Sequence, residues 1–368
     1  MNIKEIVIRR MKMKLKAPFT TSFGTMENKD FLLLEAIDEQ GVVGWGESVA
    51  FLAPWYNEET LQTNWHMLEE FLIPQILHQE ITHPDEVTKM FQTIKQNQMA
   101  KSTIEGAIWD IYAQKTNQSL ARALGGEKEH IDVGISIGIQ SSTSDLVQLV
   151  DTYIKDGFKR IKVKIKPGND IEPLRALRER FPDIPIMADA NSAYRLEDIA
   201  VFQELDKLDL MMIEQPLASD DIIDHASLQK QITTPICLDE SIHSLEDTRK
   251  AVEIGAAKII NIKIGRVGGL TEAKKIHDYC QTKEIPVWCG GMLEAGVGRA
   301  HNVALTSLVN FTMPGDTAGS NRYFEKDIIS PEVVARNGTI EVPQTSGIGY
   351  DIDREAVQQY TTDYKVYR

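Results

Sequence analysis

Short apolar runs alternate with amphipathic, helix-like segments from about residue 130 onward, and this alternation restricts the fold more than any other feature. The runs are "DVGISIGI", "RIKVKI", "IPIMADA", "DLMMIEQP", "TPICLDES", "AKIINIKI", "IPVWCGG" and, more weakly, "LVNFTMPGD". Strand, helix and strand at short pitch predict parallel βαβ units, and seven or eight of them favour a closed barrel. The alternative, an open doubly wound sheet, usually carries a G-x-G-x-x-G turn. The glycine clusters "IGRVGGL" and "WCGGMLEAGVGRA" do not have that spacing.

The regions on either side of this repeat have different sequence patterns. Residues 1 to about 50 are rich in strand-like runs, and residues 58–125 have helical periodicity, with Ser102 and Glu105 at capping-box spacing. The last residues, with "NGTIEVPQTSGIGYDID", resemble an irregular segment that returns to the first region. We therefore expect an N-terminal α+β region over 1–125, a barrel over 126–322 and a returning segment over 323–368.

Charge and composition exclude several classes of function. A net charge of −14 argues against nucleic acid or an anionic membrane as the main partner, because both require a basic surface. The sequence lacks an apolar run of 18 residues, and its first residues do not resemble a signal peptide. The three cysteines, an odd number without metal-ligand spacing, are typical of a reducing compartment. We expect a cytoplasmic protein and leave a homo-oligomer open.

One polar residue at the end of each central strand recurs at a constant interval. The intervals are 25, 25, 25 and 24 residues, along the series Lys164, Asp189, Glu214, Asp239 and Lys263. A single Asp before a helix is more often a helix cap. Five in succession, one per βα unit, instead predict an active site at the C-terminal face of a barrel.

The three carboxylates predict a metal ion. Two carboxylates about 4 Å apart repel by roughly 4 kcal/mol even at an effective dielectric constant of about 20. A divalent cation relieves this repulsion, and a set of oxygen ligands suits Mg²⁺, with Mn²⁺ as a substitute. His and Cys are absent from the series, which argues against Zn²⁺.

The alternation in "RIKVKIKPG" gives the lysines a function. Lys162 and Lys164 are two residues apart and therefore share one face of a strand, whereas Lys166 lies beyond its end. Lysines beside a metal have a lowered pKa and act as bases, and a metal-bound carboxylate has an acidified α-proton. Lys164 and Lys263, on opposite sides, are predicted to exchange protons with a small anionic carboxylate substrate.

These motifs resemble the enolase superfamily, in particular the o-succinylbenzoate synthase and N-acylamino acid racemase family of its muconate-lactonizing subgroup. The likeness covers nearly the whole chain and includes "APFTTSFGTM", "RIKVKIKPG", "MADANSAY", "MIEQPL", "LDESI", "NIKIGRVGGL" and "WCGGMLEAGVGRAHNVAL". It implies an α/β fold, a modified (β/α)₇β TIM-like barrel with an α+β capping domain. It also implies Mg²⁺ on Asp189, Glu214 and Asp239, with Lys164 and Lys263 catalytic.

The resemblance implies a reaction as well. This is the syn-dehydration of 2-succinyl-6-hydroxy-2,4-cyclohexadiene-1-carboxylate to o-succinylbenzoate for menaquinone biosynthesis, by a carbon–oxygen lyase. The alternatives are N-acylamino acid racemization, including a bifunctional enzyme, and, more distantly, muconate cycloisomerization. The substrate contacts that it implies are Lys162, Ser22, Phe23, Arg266 and Met292.

Four further positions carry expectations. Tyr56 is expected to pack rather than to line the pocket, and Glu240 to face outward. Asp316 and Ser320 are expected to meet the substrate carboxylate through nearby backbone N–H groups.

Overall fold

A computed structural model describes residues 1–20 and 25–368, without the side chain of Thr20. The N-terminal region begins with three antiparallel strands, β1 (Ile3–Thr20), β2 (Thr25–Asp38) and β3 (Val43–Ser48). Helices α1 (Leu61–Met67), α2 (Asp85–Met90), α3 (Gln98–Lys115) and α4 (Leu120–Ala123) follow, with shorter helical turns at Leu68–Leu72, Ile73–Gln75 and Phe91–Thr93. α3 packs against β3 and buries residues all round, as a helix between a sheet and another layer does.

The start of α3 differs from the prediction. Ser102 is not the helix cap, since α3 begins at Gln98, after Asn97 in the left-handed conformation (φ 57°). The Glu59 carboxylate, from the preceding segment, accepts the backbone N–H groups of Met99 and Ala100 at 2.9 and 3.2 Å. A tertiary contact therefore supplies the cap that the local pattern placed elsewhere.

The central region is the predicted barrel. Its strands are β5 (Ile135–Ile137), β6 (Ile161–Lys164), β7 (Ile186–Asp189), β8 (Met212–Glu214), β9 (Ile236–Leu238), β10 (Ile259–Ile262) and β11 (Val287–Cys289). The short strand β4 (His130–Asp132) precedes them and belongs to a separate two-stranded sheet. The barrel helices are α5 (Thr143–Lys155), α6 (Ile171–Arg180), α7 (Ile199–Leu205), α8 (Ile222–Gln229), α9 (Leu245–Glu253), α10 (Ile264–Val267), α11 (Leu270–Thr282) and α12 (Gly296–Thr306), with helical turns at Leu196–Asp198 and Asp206–Leu208. Strands β5 to β11 are parallel neighbours in chain order.

The eighth position of the barrel is irregular. The weak run "LVNFTMPGD" forms no regular strand. Its backbone nevertheless hydrogen-bonds beside β5 and β11, the two edge strands of the curled sheet. Gly134 N–H donates to Gly315 O at 2.8 Å beside β5, and Asp316 N–H donates to Cys289 O at 2.8 Å beside β11. Residues 310–316 therefore close the barrel, and the predicted α/β barrel with an α+β cap is confirmed.

The chain then returns to its beginning. The last elements are a helical turn at Ser320–Arg322, β12 (Ile329–Ser330), β13 (Thr339–Glu341), β14 (Asp351–Ile352), α13 (Arg354–Tyr360) and β15 (Thr361–Tyr367). β15 pairs with β1, so that the cap sheet runs in the order β15-β1-β2-β3. The domain boundaries at 125/126 and 322/323 stay predictions. Among the described residues, no helix combines the length and the apolar character needed to cross a membrane.

Two cap glutamates join the cap to barrel helices. Glu105 of α3 accepts the backbone N–H groups of Leu270 and Thr271 at 2.7 and 2.8 Å, at the start of α11. Glu47 of β3 accepts the N–H groups that open α12 in the same way. Helix N-termini carry unpaired N–H groups and partial positive charge, which these buried carboxylates satisfy.

The inside of the barrel is apolar at one end. Met187, Met212, Cys237, Ile259 and Trp288 form a buried cluster there. Met187, Met212 and Cys237 each precede one of the predicted carboxylates by two residues, so each pair shares a strand face. This cluster fills one end of the barrel, and the carboxylates lie at the other end.

Candidate active site at the barrel mouth

The predicted series comes together at the C-terminal ends of the strands. Lys164 lies opposite Asp189 in the β6–β7 pairing, and Asp189 lies opposite Glu214 in the β7–β8 pairing. Asp239 and Lys263 directly follow β9 and β10. The three carboxylates are at most 1% exposed. The constant interval along the sequence therefore corresponds to one height in the barrel.

The two lysines of β6 enter the barrel beside the first two carboxylates. Lys162 Nζ lies 3.3 Å from Asp189 Oδ2 and 3.1 Å from Glu214 Oε2. Lys164 Nζ lies 2.6 Å from Asp189 Oδ2 and 2.5 Å from Asn191 Oδ1. The intervening apolar side chains of β6 are buried on the other face, within the main core. The lysines of "RIKVKIKPG" are therefore interior residues, apart from the exposed Lys166.

Lys263 approaches from the other side of the mouth. Its Nζ lies 2.7 Å from Asp239 Oδ2 and 3.3 Å from the Tyr56 hydroxyl. Arg266, fully buried in α10, donates to the second oxygen of Asp239 and to the backbone carbonyls of Ile242 and Asn261. Arg266 does not line the cavity at the mouth, and its predicted contact with substrate stays a prediction.

The three carboxylates suit a divalent cation by their chemistry. They offer only oxygen, they are buried, and they end adjacent strands. In residues 1–20 and 25–368, no trio of acidic, His or Cys side chains is arranged as a finished metal cage. Asp239 instead faces Lys263 and Arg266. Burial and the charge of Asp189 raise the pKa of Glu214. A bound cation would offset both the burial cost and the repulsion between the two carboxylates.

Two of the interior lysines, Lys162 and Lys263, have raised pKa values because they pair with carboxylates. Burial alone would lower the pKa of Lys162, but the carboxylates of Asp316, Glu214 and Asp189 outweigh burial, and the pKa is raised. The pKa of Lys263 is also raised: burial opposes the shift, and the negative charge of its acidic neighbours causes it. The physical reason is direct pairing, because in this arrangement each amine neutralises a carboxylate.

A cavity opens above these groups. Its floor is polar and its walls are largely apolar, formed by the described side chains of both regions. The polar lining residues include Lys162, Lys164, Asn191, Lys263, Glu294, Arg299 and Asp316, and the apolar ones include Phe19, Met26, Phe51, Trp55, Met292 and Leu293. Met292 therefore lies where a substrate contact was predicted. Ser22 and Phe23, the two predicted contacts from the cap, lie outside the described residues.

Family profiles match most of the chain. Residues 3–125 match "Mandelate racemase / muconate lactonizing enzyme, N-terminal domain", and residues 145–356 match "Enolase C-terminal domain-like". The chain belongs to the mandelate racemase and muconate lactonizing enzyme family of the enolase superfamily.

Relatives within this family are similar over their full length. The o-succinylbenzoate synthase of Geobacillus kaustophilus is 58% identical, over 100% of this chain and 98% of that protein. The N-succinylamino acid racemase of Thermus thermophilus is 42% identical over 98% of each chain. A solved structure of an enolase-superfamily member from Listeria innocua superposes with a TM-score of 0.97 at 45% identity, over 100% of this chain and 99% of that one.

Sequence reasoning missed Arg160 at the mouth of this family member and gave Asp316 only a backbone role. Arg160, two residues before Lys162 and on the same strand face, donates to Asp316 Oδ1 at 2.9 Å. Asp316 also holds Lys162 Nζ at 2.7 Å, so that its side chain, and not only the backbone near it, belongs to the site. The period-two pattern that identified Lys162 extends to Arg160 and would have found it.

Two further expectations are wrong in this family member. Glu240 does not face outward: it is buried and accepts a hydrogen bond from Asn191 Nδ2 at 2.9 Å. Tyr56 does not only pack, because its hydroxyl lies between Lys263 and Asp239. The chain turns immediately after β9, so the alternation of an extended strand no longer applies at Glu240.

Proposed function

We propose that this protein is an o-succinylbenzoate synthase that dehydrates 2-succinyl-6-hydroxy-2,4-cyclohexadiene-1-carboxylate. The observation that carries the proposal is 58% identity over the whole chain to a synthase, together with the lysines and carboxylates gathered at one barrel mouth. Menaquinone biosynthesis and a cytoplasmic location belong to the same proposal as predictions, and the proposal leaves a homo-oligomer open.

The acids at the mouth would hold a divalent cation, Mg²⁺ with Mn²⁺ as a substitute. Asp189, Glu214 and Asp239 are its ligands in this proposal, and the ion would supply positive charge for a developing enediolate. In this proposal Lys162, which lines the cavity, pairs with the substrate carboxylate. The apolar walls exclude water from the reacting ring.

Lys164 is the acid–base residue in this proposal. Its neutral amine removes the ring proton next to the carboxylate, which leaves an enediolate. The resulting ammonium then gives that proton to the departing hydroxyl on the same face, so that the C–O bond breaks, water leaves and the ring becomes aromatic. Lys263, on the other side, stabilises the enediolate by its charge.

The charges at the mouth fit an anionic substrate. Among the described side chains there, the cationic and anionic groups are equal in number. They are Arg160, Lys162, Lys164, Lys263 and Arg266 against Asp189, Glu214, Asp239, Glu240 and Asp316, and Arg299 and Glu294 on the cavity wall add one of each sign. With Lys164 neutral as the base, a bound dication would leave an excess of one positive charge, which favours an anionic substrate.

Racemization of N-succinylamino acids is the second candidate. The observation that favours it is the position of two amines, Lys164 ending β6 and Lys263 following β10, with three strands between. Proton removal by one lysine and return by the other inverts a carbon between them. A relative of that activity is 42% identical to this chain. Muconate cycloisomerization is less favoured, because a structure of that type is only 22% identical and shows the fold alone.

The test is turnover by the purified protein with Mg²⁺. We expect formation of o-succinylbenzoate from the cyclohexadiene substrate, and loss of this activity in Lys164→Ala. Lys166→Ala is the matched control, because Lys166 is exposed beyond the end of β6. Absence of product from the wild type would refute the synthase. Exchange of the α-proton of N-succinylamino acids in D₂O tests the racemase.

A further inference from the structure

Tyr56 reaches the barrel mouth from the N-terminal region. Its hydroxyl donates to Asp239 Oδ1 at 3.1 Å and accepts hydrogen bonds from Lys263 Nζ at 3.3 Å and from Arg266 Nη1 at 3.1 Å. The face of its ring lies 4.4 Å from the same Nζ. One cap side chain therefore touches the Lys263 amine by both its hydroxyl and its ring.

The segment that carries Tyr56 is anchored at its base. Phe51 and Thr60 pair across it, and Leu61 N–H donates to Phe51 O at 2.7 Å. Glu59, three residues after Tyr56, holds the start of α3 through its carboxylate. α3 in turn is joined to the barrel by Glu105. The position of the Tyr56 hydroxyl is thus set by how the cap sits on the barrel.

We propose that Tyr56 is a positioning residue for Lys263, an inference that rests on the proposed function. By accepting one N–H of Lys263, the hydroxyl fixes the rotation of the amine about its last bond. The amine then points into the cavity, where Lys263 is a lining residue. Proton transfer requires this geometry first.

Lys164 provides the internal comparison. Its Nζ contacts Asp189 and Asn191, and Tyr56 is not among its hydrogen-bond partners within the described residues. The two lysines serve opposite faces of the substrate carbon. Loss of the Tyr56 hydroxyl should therefore impair proton removal from one enantiomer of an N-succinylamino acid and spare the other.

The test is α-proton exchange in D₂O, measured by NMR for both enantiomers of one N-succinylamino acid. Lys164→Arg and Lys263→Arg first identify which enantiomer each lysine serves. Tyr56→Phe keeps the ring and removes the hydroxyl. For the enantiomer whose α-proton Lys263 removes, we expect kcat for exchange to fall by about 10- to 100-fold, with KM little changed. This is the loss typical of one hydrogen bond to a charged group. The other enantiomer should change by less than about threefold.

Several results would overturn the inference. Equal loss with both enantiomers would mean a structural or substrate-binding role, and no loss with either would mean no role. Trp55→Phe is the matched control, because Trp55 lines the same cavity from the same segment. Any effect of that variant should be the same for both enantiomers.

A failure of the proposed function has a different signature. It would appear as a wild-type protein that neither forms o-succinylbenzoate nor exchanges either enantiomer. If the wild type forms o-succinylbenzoate but exchanges neither enantiomer, the exchange assay does not apply. A crystal structure of Tyr56→Phe then tests the positioning role. Displacement of Lys263 Nζ from its wild-type position supports the inference, and an unmoved Nζ overturns it.

Discussion

Gly290→Ala should disable the site without unfolding the protein. A Cβ atom at Gly290 would lie 2.5 Å from Asn261 Oδ1 and 2.7 Å from Lys263 Cε. Because ordinary contact begins at 3.4 Å, Lys263 Cε would have to move by about 0.7 Å. A misplacement of about 1 Å costs about 100-fold in rate, so we expect kcat for dehydration and for proton exchange to fall by about 10- to 100-fold.

The same substitution should weaken metal binding. Asn261 Nδ2 donates to Glu214 Oε1 at 2.8 Å, so displacing Asn261 disturbs a proposed metal ligand. Removal of such a supporting contact typically costs about 10- to 100-fold in metal affinity. Mn²⁺ titration measures this effect separately from turnover.

Gly291→Ala is the matched control for this prediction. Gly291 is in the same loop, and a Cβ there would meet nothing closer than Asp316 O at 3.0 Å. Neither glycine has a positive φ, so backbone strain does not distinguish the two variants. Wild-type activity in Gly290→Ala, or an equal loss in Gly291→Ala, would refute the close approach on which the reasoning rests.

Three stability predictions complete the set, each measured by urea unfolding. Glu105→Ala should lower the free energy of unfolding by about 2–5 kcal/mol, because two buried N–H groups at the start of α11 lose their acceptor. Asp316→Asn should cost about 3–5 kcal/mol, because Arg160 loses its carboxylate partner and Lys162 one of its own. Burial lowers the pKa of His301 to about 4, so the stability that it contributes above about pH 6.5 is lost as the pH falls toward 4. Between about pH 6.5 and pH 4, the free energy of unfolding of His301→Gln should therefore fall by about 3 kcal/mol less than that of the wild type. An unchanged pH profile would contradict the assignment.

The sequence predicts the barrel well because one physical pattern repeats. Each interior strand places a polar side chain at its C-terminal end, and parallel neighbours keep the same height. The lysines of β6 are predictable for the same reason, since a period of two assigns them to one face. Arg160 obeys that period as well, but it lies just before β6, whereas functional side chains are expected at the C-terminal ends of the strands.

The residues that escape prediction depend on contacts between distant segments. Tyr56 lies in an irregular segment of the cap, and only the docking of that cap places its hydroxyl beside Lys263. The start of α3 is set by Glu59, which no local pattern includes. The segment that closes the barrel at 310–316 is held by backbone hydrogen bonds without regular strand geometry, so its apolar pattern is weak.

Binding of Mn²⁺, followed by electron paramagnetic resonance, tests the central claim that carboxylates from three successive strands hold one ion. We expect one Mn²⁺ per chain, and a loss of more than about tenfold in affinity in each of Asp189→Asn, Glu214→Gln and Asp239→Asn. Glu294→Gln is the control, because Glu294 lines the same cavity without belonging to the set. Unchanged binding in any of the three variants, or equal weakening in the control, would contradict the account.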